Sequence, residues 1–177
     1  KLFVRAVPGA LLARPEALDS VAVDPADTDT LFVGTRPDAF RSRDGGKTWD
    51  ALSLGVTMPC PIGIPRTTNV IVDHRDSQIV WAGIEVDGVY QSRDGGDSWV
   101  HLPALGPDPF HGDIHGLALR PGAQPAVYPT TPFGIATSTD EGENWSYHHF
   151  PEFNEEDRRS YCRGVLLEAD DPNTIFV

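Results

Sequence analysis

Positive charge is scarce in this chain: 14 Lys and Arg stand against 26 Asp and Glu, a formal net charge of −12. Nucleic acids and anionic lipid surfaces are held by basic faces that displace counterions or meet headgroups, so this balance argues against both as general partners. Cysteine is nearly absent. Only Cys60 and Cys162 occur, at unlike places in the repeat described below, and a disulfide framework is therefore not expected. No apolar run approaches the length of a membrane span, and no stretch carries a helical period long enough to compete with the strand pattern. The chain opens on Lys1 without an initiator methionine or a visible leader, so its localisation is left open.

What the sequence has in place of these is a repeat. Ser42-Arg43-Asp44-Gly45-Gly46-Lys47-Thr48-Trp49, Ser92-Arg93-Asp94-Gly95-Gly96-Asp97-Ser98-Trp99 and Ser138-Thr139-Asp140-Glu141-Gly142-Glu143-Asn144-Trp145 all read Ser-x-Asp-x-Gly-x-x-Trp, with the tryptophans 50 and 46 residues apart. Self-similarity at such a period marks a repeat architecture. A second block precedes each turn: Val21-Ala22-Val23-Asp24-Pro25, Val70-Ile71-Val72-Asp73 and Leu117-Ala118-Leu119-Arg120-Pro121, with another copy beginning at Val165-Leu166-Leu167-Glu168.

Each copy holds four short runs rich in β-branched and aromatic residues, separated by Asp, Pro, Gly and Asn, which is the pattern of hairpin-connected strands. Called A to D, they are Val70 to Asp73, Val80 to Ile84, Gly88 to Ser92 and Trp99 to Leu102 in the second copy. Four strands in about 40 to 50 residues is the arithmetic of a propeller blade. The expected fold is all-β: a β-propeller of four-stranded antiparallel blades. One domain is expected over 1–177, with a partial blade at 1–18, blades at 19–66, 67–113 and 114–161, and the start of the next at 162–177. Leu2-Phe3-Val4 matches strand B, yet strand A follows after too few residues, so about twenty are expected to be absent near Arg14-Pro15. On this arithmetic the chain is a portion of a longer propeller, since a closed ring takes roughly 4 to 8 blades.

The eight-residue turn resembles the Asp-box of the BNR-repeat proteins, a grouping that includes sialidases, xyloglucan-active glycoside hydrolases, sortilin-type receptors and a plastid photosystem assembly factor. The residue types suit the turn. The carboxylates of Asp44, Asp94 and Asp140 can accept amides of their own turns, Gly46, Gly96 and Gly142 supply a positive φ, and Trp49, Trp99 and Trp145 are expected to plug their blades, largely buried. The resemblance implies that the boxes, with Ser42, Ser92 and Ser138, join strands C and D on the face away from any active site. They are structural residues on this reading.

In a propeller strand A is innermost and the D-to-A and B-to-C connections share one face. Two residues before strand A stand Asp19, Thr68, His115 and Arg163, and two residues earlier come Arg66, Asp113 and Tyr161, on the same side of an extended chain. With Glu85 from a B-to-C turn, these residues are expected around the channel mouth, where differing blade positions can carry specificity. Arginine offers an anion a planar fork, so a carboxylate or a sugar is a candidate ligand; the alternative is Asp–Arg pairing that merely holds blades in register. His111-Gly112-Asp113-Ile114-His115 has metal-ligand spacing: in an unbroken strand His111, Asp113 and His115 would converge on a divalent ion, whereas the same run also suits a hydrogen-bonded loop. No other cofactor is indicated.

Tyr161, Arg66, Arg163 and Asp113 are of the types that the resemblance to sialidases implies for catalysis, but Ile64-Pro65-Arg66 reverses the Arg-Ile-Pro order of that family. Glycoside hydrolysis more generally needs two carboxylates about 5 to 9.5 Å apart, for which Asp19, Glu85 and Asp113 are candidates. The sequence thus favours a propeller that binds a small molecule, a carbohydrate or a protein at its mouth without catalysis. A glycoside hydrolase is the second reading. An assembly scaffold, contacting a protein through a loop such as Phe150-Pro151-Glu152-Phe153, is the third.

Overall fold

The computed structural model describes residues 18–61, 63–122, 125–150, 162–168, 170–171 and 173–177. The expected break near Arg14-Pro15, the strand at Leu2-Phe3-Val4 and Tyr161 lie outside these residues. Three four-stranded antiparallel sheets follow in chain order. The first joins β1 (Ser20–Val23), β2 (Leu31–Gly34), β3 (Ala39–Ser42) and β4 (Asp50–Leu52). The second joins β5 (Thr67–Val72), β6 (Val80–Ile84), β7 (Gly88–Ser92) and β8 (Val100–His101). The third joins β9 (Gly116–Arg120), β10 (Ala126–Thr131), β11 (Gly134–Thr137) and β12 (Ser146–His149), and a two-stranded sheet of β13 (Leu166–Leu167) and β14 (Ile175–Phe176) follows. Each four-stranded sheet is a simple meander, because turns of a few residues can join only antiparallel neighbours.

The blades lie face against face. Phe32, Ala39 and Leu52 of the first blade share a buried cluster with Val70, Val80, Ile84 and Tyr90 of the second, while Trp81 and Val89 pack with Ile114, Leu117, Val127 and Ala136 of the third. A third cluster joins Ala126, Tyr128 and Ile135 to Val165, Leu167 and Ile175. Being covered on both faces, β6 and β7 are buried at every residue; β6 reads as a continuous apolar run, while β7 buries Gln91 and Ser92 as well. In β1, by contrast, burial alternates and Val21 and Val23 are exposed. The innermost strands are also pinned through polar groups: Thr67 N–H donates to the Thr35 carbonyl at 2.8 Å, and the Thr68 hydroxyl donates to the Ile114 carbonyl of the next blade at 2.8 Å.

The three box turns superpose in chemistry. In each, the Ser hydroxyl bonds the Asp carboxylate at 2.7–2.9 Å and accepts the Gly amide four residues on at 2.8 Å. The same carboxylate accepts the amide and side chain of Thr48, Ser98 or Asn144. These bonds hold Asp94 and Asp140 down at about 2, through Ser98 and Asn144 above all, and Asp44 lower still, through the Thr48 amide first. Carboxylates committed in this way are turn acceptors, not acids in waiting. Trp49, Trp99 and Trp145 are only half-buried, because the box turns at the rim of the sheet, so each indole lies at the margin of the core. Trp99 and Trp145 pack against the clusters shared with the preceding blade, and Trp99 also donates Nε1–H to the Gly96 carbonyl at 3.1 Å. The fully buried tryptophan is Trp81, at 1% exposure.

Candidate functional site

At the ends of strands A opens a cleft of about 530 Å³, lined in part by Asp19, Arg66, Thr68 and Glu85 and in part by Asp113, His115 and Arg163. Of the described residues placed at this face from the sequence, these seven line one space, whereas Arg36, Asp38 and Asp87 of the B-to-C turns are not in its lining. The local reason is register: Arg66 precedes β5 and Glu85 follows β6, and the pairing of Thr67 with Ile84 puts them side by side, with Glu85 N–H donating to the Arg66 carbonyl at 2.8 Å.

The charges are paired. Arg66 turns its fork on Glu85, Nε to Oε2 at 3.1 Å and Nη2 to Oε1 at 2.6 Å, and Glu85 is 5% exposed. Asp19 lies 3.8 Å from both Arg66 Nη1 and Arg36 Nε. Burial nonetheless pushes the Asp19 carboxyl above its ordinary range, overriding the lowering by Arg66 and Arg36, and Glu85 acts in the same upward direction. The Glu85 hydrogen bond, first among its causes, holds the Arg66 guanidinium more firmly charged. Asp113 Oδ2 stands 3.3 Å from His115 Nε2, and His115 Nδ1 is 3.2 Å from the Cys162 carbonyl. A carbonyl can only accept, so Nδ1 carries hydrogen in this contact. Thr68 is spent on blade pinning: its hydroxyl bonds the Gly83 and Ile114 carbonyls and accepts Asn69 Nδ2 at 3.1 Å.

The metal triplet does not form. A 3-10 turn at Pro109–Gly112, capped by Asp108, interrupts the extended chain, so alternation fails between His111 and Asp113. His111 is buried at 4% exposure and stacks on Tyr147 at 4.0 Å, while Asp113 and His115 face the cleft. Among the described residues no three His, Cys, Asp or Glu side chains gather where they could hold a metal ion. His148 pairs opposite Ile135 and His149 opposite Gly134 on β12, away from the cleft lining.

Sequence reasoning missed the apolar part of the lining, which comprises Cys60, Pro61, Val86 and Phe110. Val86 has φ +64°, a region that a β-branched residue enters only under strain. A turn between β6 and β7 with Gly88 at its end signalled the bend, but nothing in the pattern signalled which residue would carry the strain.

The BNR/Asp-box repeat model matches residues 40–51. The chain is 34% identical over 94 residues to the oligoxyloglucan-reducing end-specific xyloglucanase of Emericella nidulans, covering 48% of this chain and 10% of that protein. It thus spans about a tenth of the curated relative. Among solved structures it resembles the GH74 enzyme of Niastella koreensis at a TM-score of 0.64 and 17% identity, over 86% of this chain and 24% of that one. It also resembles YCF48 bound to D1 peptide, at a TM-score of 0.55 and 15% identity, over 88% and 44% of the two chains. At such identities the structural likeness speaks for the fold. Together with three box turns of one geometry on successive four-stranded sheets, it gives this chain the β-propeller fold, with a BNR/Asp-box repeat matched at residues 40–51.

Proposed function

We propose that the cleft binds a neutral oligosaccharide of the xyloglucan type, within a single propeller domain of which residues 1–177 form a portion. The observation that carries this reading is the closed fork of Arg66. Its Nε–Nη2 edge is taken by Glu85, so a ligand carboxylate would compete with a buried carboxylate for the fork, whereas sugar hydroxyls can donate to Asp19 and Asp113 without disturbing the pair. The partial match to a xyloglucanase and the likeness to GH74 propellers support a glycan over a peptide. Calorimetric titration with a xyloglucan-derived oligosaccharide and with an oligogalacturonate tests it: saturable binding of the neutral glycan alone is expected, and binding of the uronate alone, or of neither, overturns it.

Hydrolysis is the second reading, and Asp19 favours it. Burial raises the Asp19 carboxyl against the opposing pull of Arg66 and Arg36, and a raised carboxyl is what a general acid requires. Release of reducing ends from the neutral oligosaccharide, abolished in Asp19→Asn with binding retained, is the expected outcome on this reading. Binding without turnover returns the site to a binding module.

A further inference from the structure

We propose that Phe110 is a stacking platform for a gluco-configured pyranose ring, an inference that rests on the glycan-binding reading and specifies how the sugar lies. Phe110 is 45% exposed although it is one of the largest apolar side chains in the chain, and it lines the cleft together with Val86 and Pro61. Its backbone is fixed. Asp108 Oδ1 accepts the Phe110 amide at 2.9 Å, Asp113 N–H donates to the Phe110 carbonyl at 3.2 Å, and the adjoining His111 is wedged against Tyr147. The Phe133 ring buttresses it at 5.4 Å and 78°. Exposing an aromatic ring costs solvation, and holding it on a capped turn, next to a backbone strained at Val86, leaves little ordering entropy to lose on binding.

The cleft therefore combines an apolar component, Phe110 with Val86 and Pro61, and a carboxylate component, Asp19 and Asp113. That combination fits a particular ligand shape. A β-glucosyl ring carries its hydroxyls equatorially, so each face is a patch of axial C–H groups and the rim is a ring of donors. The face can lie on a phenyl ring while the rim donates to carboxylates, the division of labour usual in small-ligand sites. An axial hydroxyl, as in a mannosyl ring, puts a polar group against the phenyl and strands it without a partner.

Calorimetric titration with cellotetraose and mannotetraose, on the wild type and on Phe110→Ala and Phe110→Trp, tests the assignment. Covering roughly 55 Å² of ring face at about 25 cal/mol per Å² corresponds to a change of about tenfold in affinity. The expected result is a cellotetraose Kd about tenfold weaker in Phe110→Ala, near wild type in Phe110→Trp, with the preference over mannotetraose lost in the alanine variant and melting temperatures unchanged. Wild-type binding that Phe110→Ala leaves intact overturns the platform while sparing the glycan-binding reading. A wild type that binds neither tetrasaccharide overturns both. A Phe110→Ala variant that melts early is replaced as witness by Phe110→Trp and Phe110→Leu, of which only the former should keep the cellotetraose preference.

Discussion

Alanine at Gly34 sets a local preference against a contact between blades. Gly34 ends β2 with ordinary strand backbone, and on propensity alone Ala should stabilise a strand by roughly 0.5–1 kcal/mol over Gly. The next blade reverses that sign. A Cβ at Gly34 would lie 2.3 Å from the Thr67 carbonyl oxygen and 2.4 Å from Ser20 Oγ. Ser20 Oγ can turn away, but the Thr67 carbonyl cannot retreat cheaply, because Thr67 N–H is bonded to the Thr35 carbonyl and its hydroxyl to the Pro37 carbonyl at 2.7 Å. Overpacking costs about 1–3 kcal/mol, with the upper end expected where backbone must move. The net loss should be about 2 kcal/mol, or ~4–8 °C in Tm for a domain of this size. Since Asp19 N–H donates to the Gly34 carbonyl at 3.0 Å, glycan affinity should weaken as well. Urea denaturation is the assay: a lower midpoint at unchanged slope is expected. A Gly34→Ala variant as stable as the wild type, or more so, refutes the close approach of the two blades.

Arg66→Ala should be destabilising by about 2–3 kcal/mol in thermal or urea unfolding, because it strands the buried Glu85 carboxylate; the third of Arg66 that is exposed keeps the figure below that for a fully buried pair. This differs from an arginine that serves only a ligand, whose loss would spare the fold. Trp81→Ala should cost about 3–5 kcal/mol, and Trp145→Ala clearly less, since only Trp81 is fully enclosed; equal losses would contradict the burial described above. Burial lowers the His111 imidazole from 6.5, with His149 acting the same way and Asp108 opposing. The unfolded chain therefore takes up this proton first, so the stability contributed is full above about 6.5 and falls as pH drops from there toward the folded value. His111→Phe should flatten that part of the stability profile, measured by urea midpoints across pH 4–8.

The box turns were legible because their chemistry is local: Ser, Asp, Gly and Trp within eight residues satisfy one another, as Ser92, Asp94, Gly96 and Trp99 do. The grouping of Asp19, Thr68, His115 and Arg163 was legible for a related reason, since one offset from strand A means one place in each blade. What the sequence withheld depends on conformation between repeats. Whether Arg66 reaches for a ligand or for Glu85 is decided by the register of β5 on β6, and whether His111 joins Asp113 is decided by a single 3-10 turn. The half-burial of Trp49, Trp99 and Trp145 follows from where the turn meets the rim of the sheet, which no periodicity encodes. Phe110 and Val86 escaped notice because an exposed aromatic and a strained φ are properties of the folded cleft alone.

The central claim is that ligand and architecture occupy opposite faces, with the glycan held at the mouth and the boxes left to the fold. Hydrogen–deuterium exchange of the chain with and without a saturating xyloglucan-derived oligosaccharide measures this directly. Protection is expected around Arg66, Glu85 to Asp87 and Phe110 to His115, where the backbone amides support the cleft, and none at Asp44 to Trp49, Asp94 to Trp99 or Asp140 to Trp145. Protection centred on the box turns, or no change in exchange anywhere, would contradict the account.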